Sequence, residues 1–221
     1  MPGPAAATIG GNAAREGGLP ANCGSGVATR WAGTLAAVAR EVYLIRHGQS
    51  TFNELFGATS VDPLHFDARL SPLGESQVAE TRAEALGLDV DAVVVSPLTR
   101  AVQTALGLFD RGRTPFHVSA LHRELLANSC DVGRAPNELA VEFPMLDFDH
   151  LEHPWWYDHH ERDERGIAIE PDHVVQRRIA EFTAWVRARP EWRLAVVGHG
   201  VFFSLLVGRH LANCEIAPWR P

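Results

Sequence analysis

Three short apolar runs in this chain each end in residue types suited to phosphate. Residues 42–45 lead into Arg46-His47-Gly48, residues 92–95 lead into Ser96 with Arg100 close behind, and residues 194–197 lead through Gly198 into His199-Gly200. A guanidinium offers a planar fork of donors matched to phosphate or carboxylate. A neutral imidazole nitrogen can attack phosphorus, and glycine lets backbone approach a ligand closely. The chemistry implied is a phosphate pocket with His47 as nucleophile, Arg46, Arg100 and His199 around the anion, and Gly48 and Gly200 beside it. The nucleophilic ring needs one nitrogen free, so the other must be held by an acceptor such as the Gly48 carbonyl.

Such a pocket requires all three run ends on one rim. Short apolar β-branched runs suit parallel strands covered on both faces, and ligands in such sheets gather beyond the strands' carboxyl ends. Residues 41–221 alternate strand and helix signals, which predicts one domain of α/β class, a three-layer α/β/α sandwich with a mostly parallel central sheet. Ser71-Pro72 and Ser96-Pro97 each place a capping hydroxyl before a proline at a first helical position. Leu98, Ala101, Val102, Ala105, Leu106 and Phe109 then share one helical face, and a helix opening at Pro171 carries Val175, Ile179, Phe182 and Val186 on its stripe. Residues 201–207 are apolar all round and predict a buried helix, and residues 116–118 a short strand. Arg100 and His199 thus stand at helix starts, whose N–H groups and dipoles favour an anion.

Residues 134–170 hold no steady period and collect Pro, Trp, His and acidic residues. They read as an insertion capping the sheet, and long segments over an active face often act as lids that select substrates. His150, His153, His159 and His160, beside Asp149, Glu152 and Asp158, are metal-ligand types. Without a predicted helix to set their spacing they read as solvated surface, and no metal or cofactor is expected. Trp155 and Trp156 read as core cover.

Composition narrows the partners. All 20 basic residues are arginine, so lysine Schiff-base chemistry and lysine phosphate clamps are excluded. A net charge of −7 argues against nucleic acid, and attraction for a phosphorylated small molecule must be local to a pocket. No apolar run approaches the roughly 20 residues of a membrane helix. Cys23, Cys130 and Cys214 fit neither a disulfide framework nor a zinc-finger spacing, which points to a reducing, cytoplasmic compartment. Residues 1–40 read as a disordered leader, with Arg15, Arg30 and Arg40 against Glu16 alone; few acids and scattered arginines also suit an organelle transit segment. The sequence leaves the oligomeric state open.

Taken in order, four blocks resemble the histidine phosphatase superfamily, also called the phosphoglycerate-mutase-like family. Residues 43–53, with Arg46-His47-Gly48 at their centre, resemble its signature; residues 70–77 resemble the segment that follows, residues 96–105 the second arginine block, and residues 196–200 the second histidine. Residues 130–133 and 213–216 look most like an uncharacterised mutase-like branch. The resemblance implies that His47 becomes phosphohistidine while Arg46, Arg100 and His199 hold the equatorial oxygens and Asn53 adds a hydrogen bond. It also places Glu124 as proton donor, with Asp131 the rival. Residues 125–129 lack the Tyr-Gly expected after that glutamate in true phosphoglycerate mutases, which favours hydrolysis of a phosphomonoester. A phosphomutase and a phospho-ligand-binding module that does not turn over are the alternatives.

Overall fold

The structure is a computed structural model and describes residues 40–221 together with Gly3. The leader expected over residues 1–40 lies, those two residues aside, outside the described residues.

The apolar runs form strands as their β-branched composition dictates: β1 (Glu41–Arg46), β2 (Ala92–Val95), β4 (Arg193–Gly198) and the short β3 (Phe116–Val118). The sheet order is β3-β2-β4-β1-β5. β1, β2, β3 and β4 are parallel, so Arg46, Ser96 and Gly198 reach one edge. β5 (Ile216–Trp219) is antiparallel to β1, and its Pro218 sits opposite Tyr43. Proline cannot donate to a ladder on both sides, which restricts such a strand to an edge.

Side-chain alternation divides the core into two faces. Ile45, Val93, Val95, Ala195 and Val197 point to one, where they meet α2 (Pro72–Gly87) and α3 (Thr99–Leu108). Val42, Leu44, Val94 and Val196 point to the other, against Phe182 of α5 (Asp172–Ala188) and Phe202 and Phe203 of α6 (Gly200–Val207). Helices therefore flank a central, mostly parallel sheet, the expected α/β sandwich. Ser71 caps α2 as anticipated, its hydroxyl accepting from Gly74 N–H at 3.1 Å.

Two helix readings need correction. Ser96 does not cap α3, because the chain makes one more turn after β2 and the helix starts at Thr99. Asp67 fills that role, its carboxylate accepting from Thr99 N–H at 2.8 Å. Helix α6 is not buried all round: Val201 and Leu205 are 44% and 45% exposed, since only the Phe202–Phe203 side meets the sheet.

Residues 134–170 contain α4 (Pro136–Glu142), unforeseen in the sequence. Leu139, Phe143, Leu146, Phe148 and Trp155 from this segment are buried on the α2–α3 face, so its large apolar residues seal the core. Trp155 also donates its indole N–H to the Arg134 carbonyl at 2.8 Å. None of the segment's residues lines the cleft described below, but residues 163–165 line a groove that adjoins it at Phe56.

Candidate active site

Beyond the carboxyl ends of β1 and β4 opens a cleft of about 360 Å³. Arg46, His47, Asn53, Arg100, Glu124, Asp131 and Gly200 are on its walls, with Phe52, Phe56, Leu125, Ala127 and Val201 between them.

His47 is held from behind. Its Nδ1 lies 2.7 Å from the Gly48 carbonyl, the acceptor anticipated from the sequence, which puts the ring's lone pair on Nε2. Arg100 Nε–H reaches that Nε2 at 3.2 Å. Burial, together with the charge of Arg100, pushes the His47 pKa well below the ordinary imidazole value, so the ring is neutral and nucleophilic. The His47 carbonyl accepts from Asn213 Nδ2 at 2.8 Å, and the Arg46 carbonyl from Cys214 N–H at 3.0 Å, so the loop before β5 clamps the end of β1.

His199 lies beside His47, with ring centroids 5.2 Å apart. Its Nε2 contacts Ser96 Oγ at 2.7 Å, while its Nδ1 has no partner among the described residues. If Ser96 O–H donates to Nε2, Nδ1 carries the proton and becomes a donor awaiting an acceptor. Ser96 is thus a positioning residue for His199 rather than a helix cap. Burial, then Arg100 and His47, hold the His199 pKa well below its ordinary value.

The two arginines differ. Arg46 uses Nη1 on the Leu211 carbonyl at 2.7 Å, and its buried Nε has no partner among the described residues. A Cβ on Gly200 would stand 2.9 Å from that Nε, so glycine there makes room for the guanidinium. Arg100 makes three contacts: besides His47, its Nη1 donates to the Cys130 carbonyl at 2.6 Å and its Nη2 to Asp131 Oδ1 at 2.9 Å, which leaves one N–H on each terminal nitrogen. Asp131 Oδ2 also accepts from Asn128 N–H at 3.0 Å. Burial lifts the Asp131 pKa to about 6 against the pull of Arg100.

Other sequence expectations fall differently. Gly48 faces α2, where a Cβ would come 2.7 Å from the Gly74 carbonyl, and its N–H is spent on Thr104 Oγ1 at 3.1 Å. Asn53 lines the cleft but its Oδ1 accepts from Ser50 N–H at 3.1 Å, leaving its amide N–H groups for a ligand. The helix N-termini expected to cradle the anion are already satisfied by carboxylates. Asp67 occupies that of α3, and Glu124 occupies that of α6, accepting from Val201 N–H at 3.0 Å and Phe202 N–H at 2.9 Å. The donors left for an anion in the cleft therefore come from side chains, the guanidinium groups foremost.

A buried brace sets the Glu124 turn. The Glu170 carboxylate accepts from Arg178 Nη2 at 2.7 Å and Arg123 Nη2 at 2.9 Å, while Arg178 Nη1 donates to the Arg123 carbonyl at 2.7 Å. Sequence reasoning took Ser96 for a cap and passed over the contact of Asn213 and this brace, because none carries a local signal of its partner.

No cluster of three or more His, Cys, Asp or Glu able to hold a metal ion occurs among the described residues. His150 is engaged elsewhere, 2.9 Å from the Val118 carbonyl. No helix among the described residues is long and apolar enough to cross a membrane.

Residues 42–221 match the family model of the histidine phosphatase superfamily (branch 1). The chain belongs to the histidine phosphatase superfamily. It is 28% identical to a phosphoglycerate mutase-like protein of Arabidopsis thaliana, over 80% of this chain and 82% of that one. It is 27% identical to the glucosyl-3-phosphoglycerate phosphatase of Mycolicibacterium vanbaalenii, over 76% and 72%. Its fold is similar to that of the alpha-ribazole phosphatase of Shigella flexneri, with a TM-score of 0.56 at 19% identity, covering 80% of this chain and 89% of that one.

Proposed function

We propose that this member of the superfamily is a phosphomonoester hydrolase that works through a phosphohistidine at His47, with residues 41–221 as one catalytic domain. The reading is carried by one observation: a neutral imidazole, its Nδ1 held by the Gly48 carbonyl and its Nε2 facing Arg100, stands beside two buried donors without partners among the described residues, Arg46 Nε and, in the tautomer that Ser96 sets by donating to Nε2, His199 Nδ1. Buried polar groups are otherwise nearly always paired, so such donors favour an anionic ligand.

In the proposed reaction His47 Nε2 attacks phosphorus as the ester P–O bond breaks. Arg46, Arg100 and His199 stabilise the charge on the equatorial oxygens, the dominant need in phosphoryl transfer. Glu124 gives its proton to the departing alkoxide. Water then attacks the phosphohistidine, Glu124 takes the proton back, and the N–P bond breaks to release phosphate and restore neutral His47. Glu124 is given the acid role by its place on the cleft wall and its likeness to the family's acidic residue, and its Oε2 has a single backbone donor. Asp131, whose Oδ1 is paired with Arg100, is assigned to hold that guanidinium.

The phosphatase relative supports hydrolysis of a small phosphorylated metabolite, and the missing Tyr-Gly after Glu124 supports hydrolysis over mutation. Free, buried Cys130 and Cys214 support a reducing compartment. The test is phosphate release from alkyl and aryl phosphomonoesters by wild type and Glu124→Gln. The variant is expected to slow alkyl esters about 100-fold and activated aryl esters far less. Equal slowing of both would remove Glu124 from its role.

A further inference from the structure

We propose that the leaving-group side of this cleft selects phosphomonoesters whose organic part is apolar and uncharged, and turns away those that carry a carboxylate. The inference rests on the phosphatase reading above. Phe52, Phe56, Leu125, Ala127 and Val201 form the apolar part of the cleft wall, with Asn53 and Asn128 as its uncharged polar part. Phe56 stacks on Phe52 with centroids 5.4 Å apart and is 36% exposed, so it offers a ring face at the opening. Apolar surface of this kind favours an apolar group that displaces water from it.

Charge points the same way. The cleft is lined by two guanidinium groups, Arg46 and Arg100, and two carboxyl groups, Glu124 and Asp131. A phosphate dianion would occupy the donors that Arg46 and Arg100 still have, and Arg100 is paired with Asp131 besides. Neighbouring cations are bound elsewhere. Arg165 pairs with Asp62 and Asp163, and Arg209 with Glu215. Besides the nucleophile His47 and the buried Cys130, the described cleft wall carries His210 at its exposed rim. A carboxylate on the substrate would lose water and find, among the described residues of the cleft wall, no further arginine to receive it, which is costly for a charged group.

The surface outside the cleft continues this character. Phe56 also lines an adjoining groove with Val61 and Leu64, which are 66% and 52% exposed. The polar part of that groove is Asp62, Asp163 and Glu164 against Arg165, an acidic rim that repels a second anion and leaves room for an apolar extension.

The test compares matched esters with the full chain: benzyl phosphate against 4-carboxybenzyl phosphate, and glycerol 3-phosphate against 3-phosphoglycerate. Within each pair the leaving oxygens are similar and the carboxylate is the main difference. The uncharged member is expected to have a kcat/KM at least about tenfold higher. Val201→Arg, which adds a cation at an exposed wall position, should shrink that ratio several-fold, and Phe56→Ala should lower the preference for benzyl phosphate over glycerol 3-phosphate. Phosphate released from all four esters with no preference, or with one for the carboxylated members, overturns the inference and leaves the phosphatase reading standing. Release from none overturns the phosphatase reading and this inference with it.

Discussion

His47, His122 and His199 are buried imidazoles whose pKa values all lie below the ordinary one, that of His122 at about 3, and in each burial is the largest cause. The folded protein thus binds fewer protons than the unfolded chain. Stability is complete above the unfolded value of about 6.5 and falls as pH drops toward the folded values, by about 1.4 kcal/mol per unit for each ring. Asp131 has the opposite sign. Raised to about 6 by burial, it binds a proton more readily when folded and offsets one imidazole between that pH and the ordinary carboxylate range. Urea unfolding is therefore expected to show a loss of about 3 kcal/mol between pH 7.5 and 5.5. His122→Phe, which removes a ring stacked on Phe182, should flatten the slope by one proton; a pH-independent unfolding energy would contradict the account. At this scale the sequence was most legible where chemistry demands a local partner, as with Gly48 behind His47. It was least legible at Ser96 and Asn213, because a serine before proline resembles a cap and an asparagine before an edge strand announces no contact.

Elements bring these residues together through a few buried polar joints. Glu170, at the end of the 134–170 segment, has a fully buried side chain between Arg123 and Arg178, and Arg178 also holds the carbonyl just before Glu124. Glu170→Ala would leave two guanidinium groups uncompensated. A loss of about 3–5 kcal/mol is expected in denaturant unfolding, and a loss under about 1 kcal/mol would show that the brace does not hold the turn. The buried parallel strands were readable because their β-branched runs are short and continuous. Edge strand β5 was not, since four residues containing Pro218 carry little pattern. Helix α4 was hidden by its brevity, and the polar residues of the segment around it masked Phe143 and Phe148, which seal a core face together with Trp155, read as core cover from the sequence.

Across the whole molecule, the parallel sheet collects at one rim residues separated by some 150 positions in the chain, and the family match from residue 42 to 221 embraces every one of them. The ring separation of 5.2 Å between His47 and His199 follows from β1 and β4 being adjacent and parallel, a relation periodicity suggests but cannot measure. The account depends on a covalent N–P bond at this meeting point. The most direct test mixes enzyme and benzyl phosphate, quenches in alkali within the first turnover and maps the added phosphoryl mass by peptide mass spectrometry. A phosphoryl group on the imidazole of His47, absent from His47→Ala together with turnover, is the predicted result. Steady phosphate release with no modified His47, or undiminished release by His47→Ala, would contradict it.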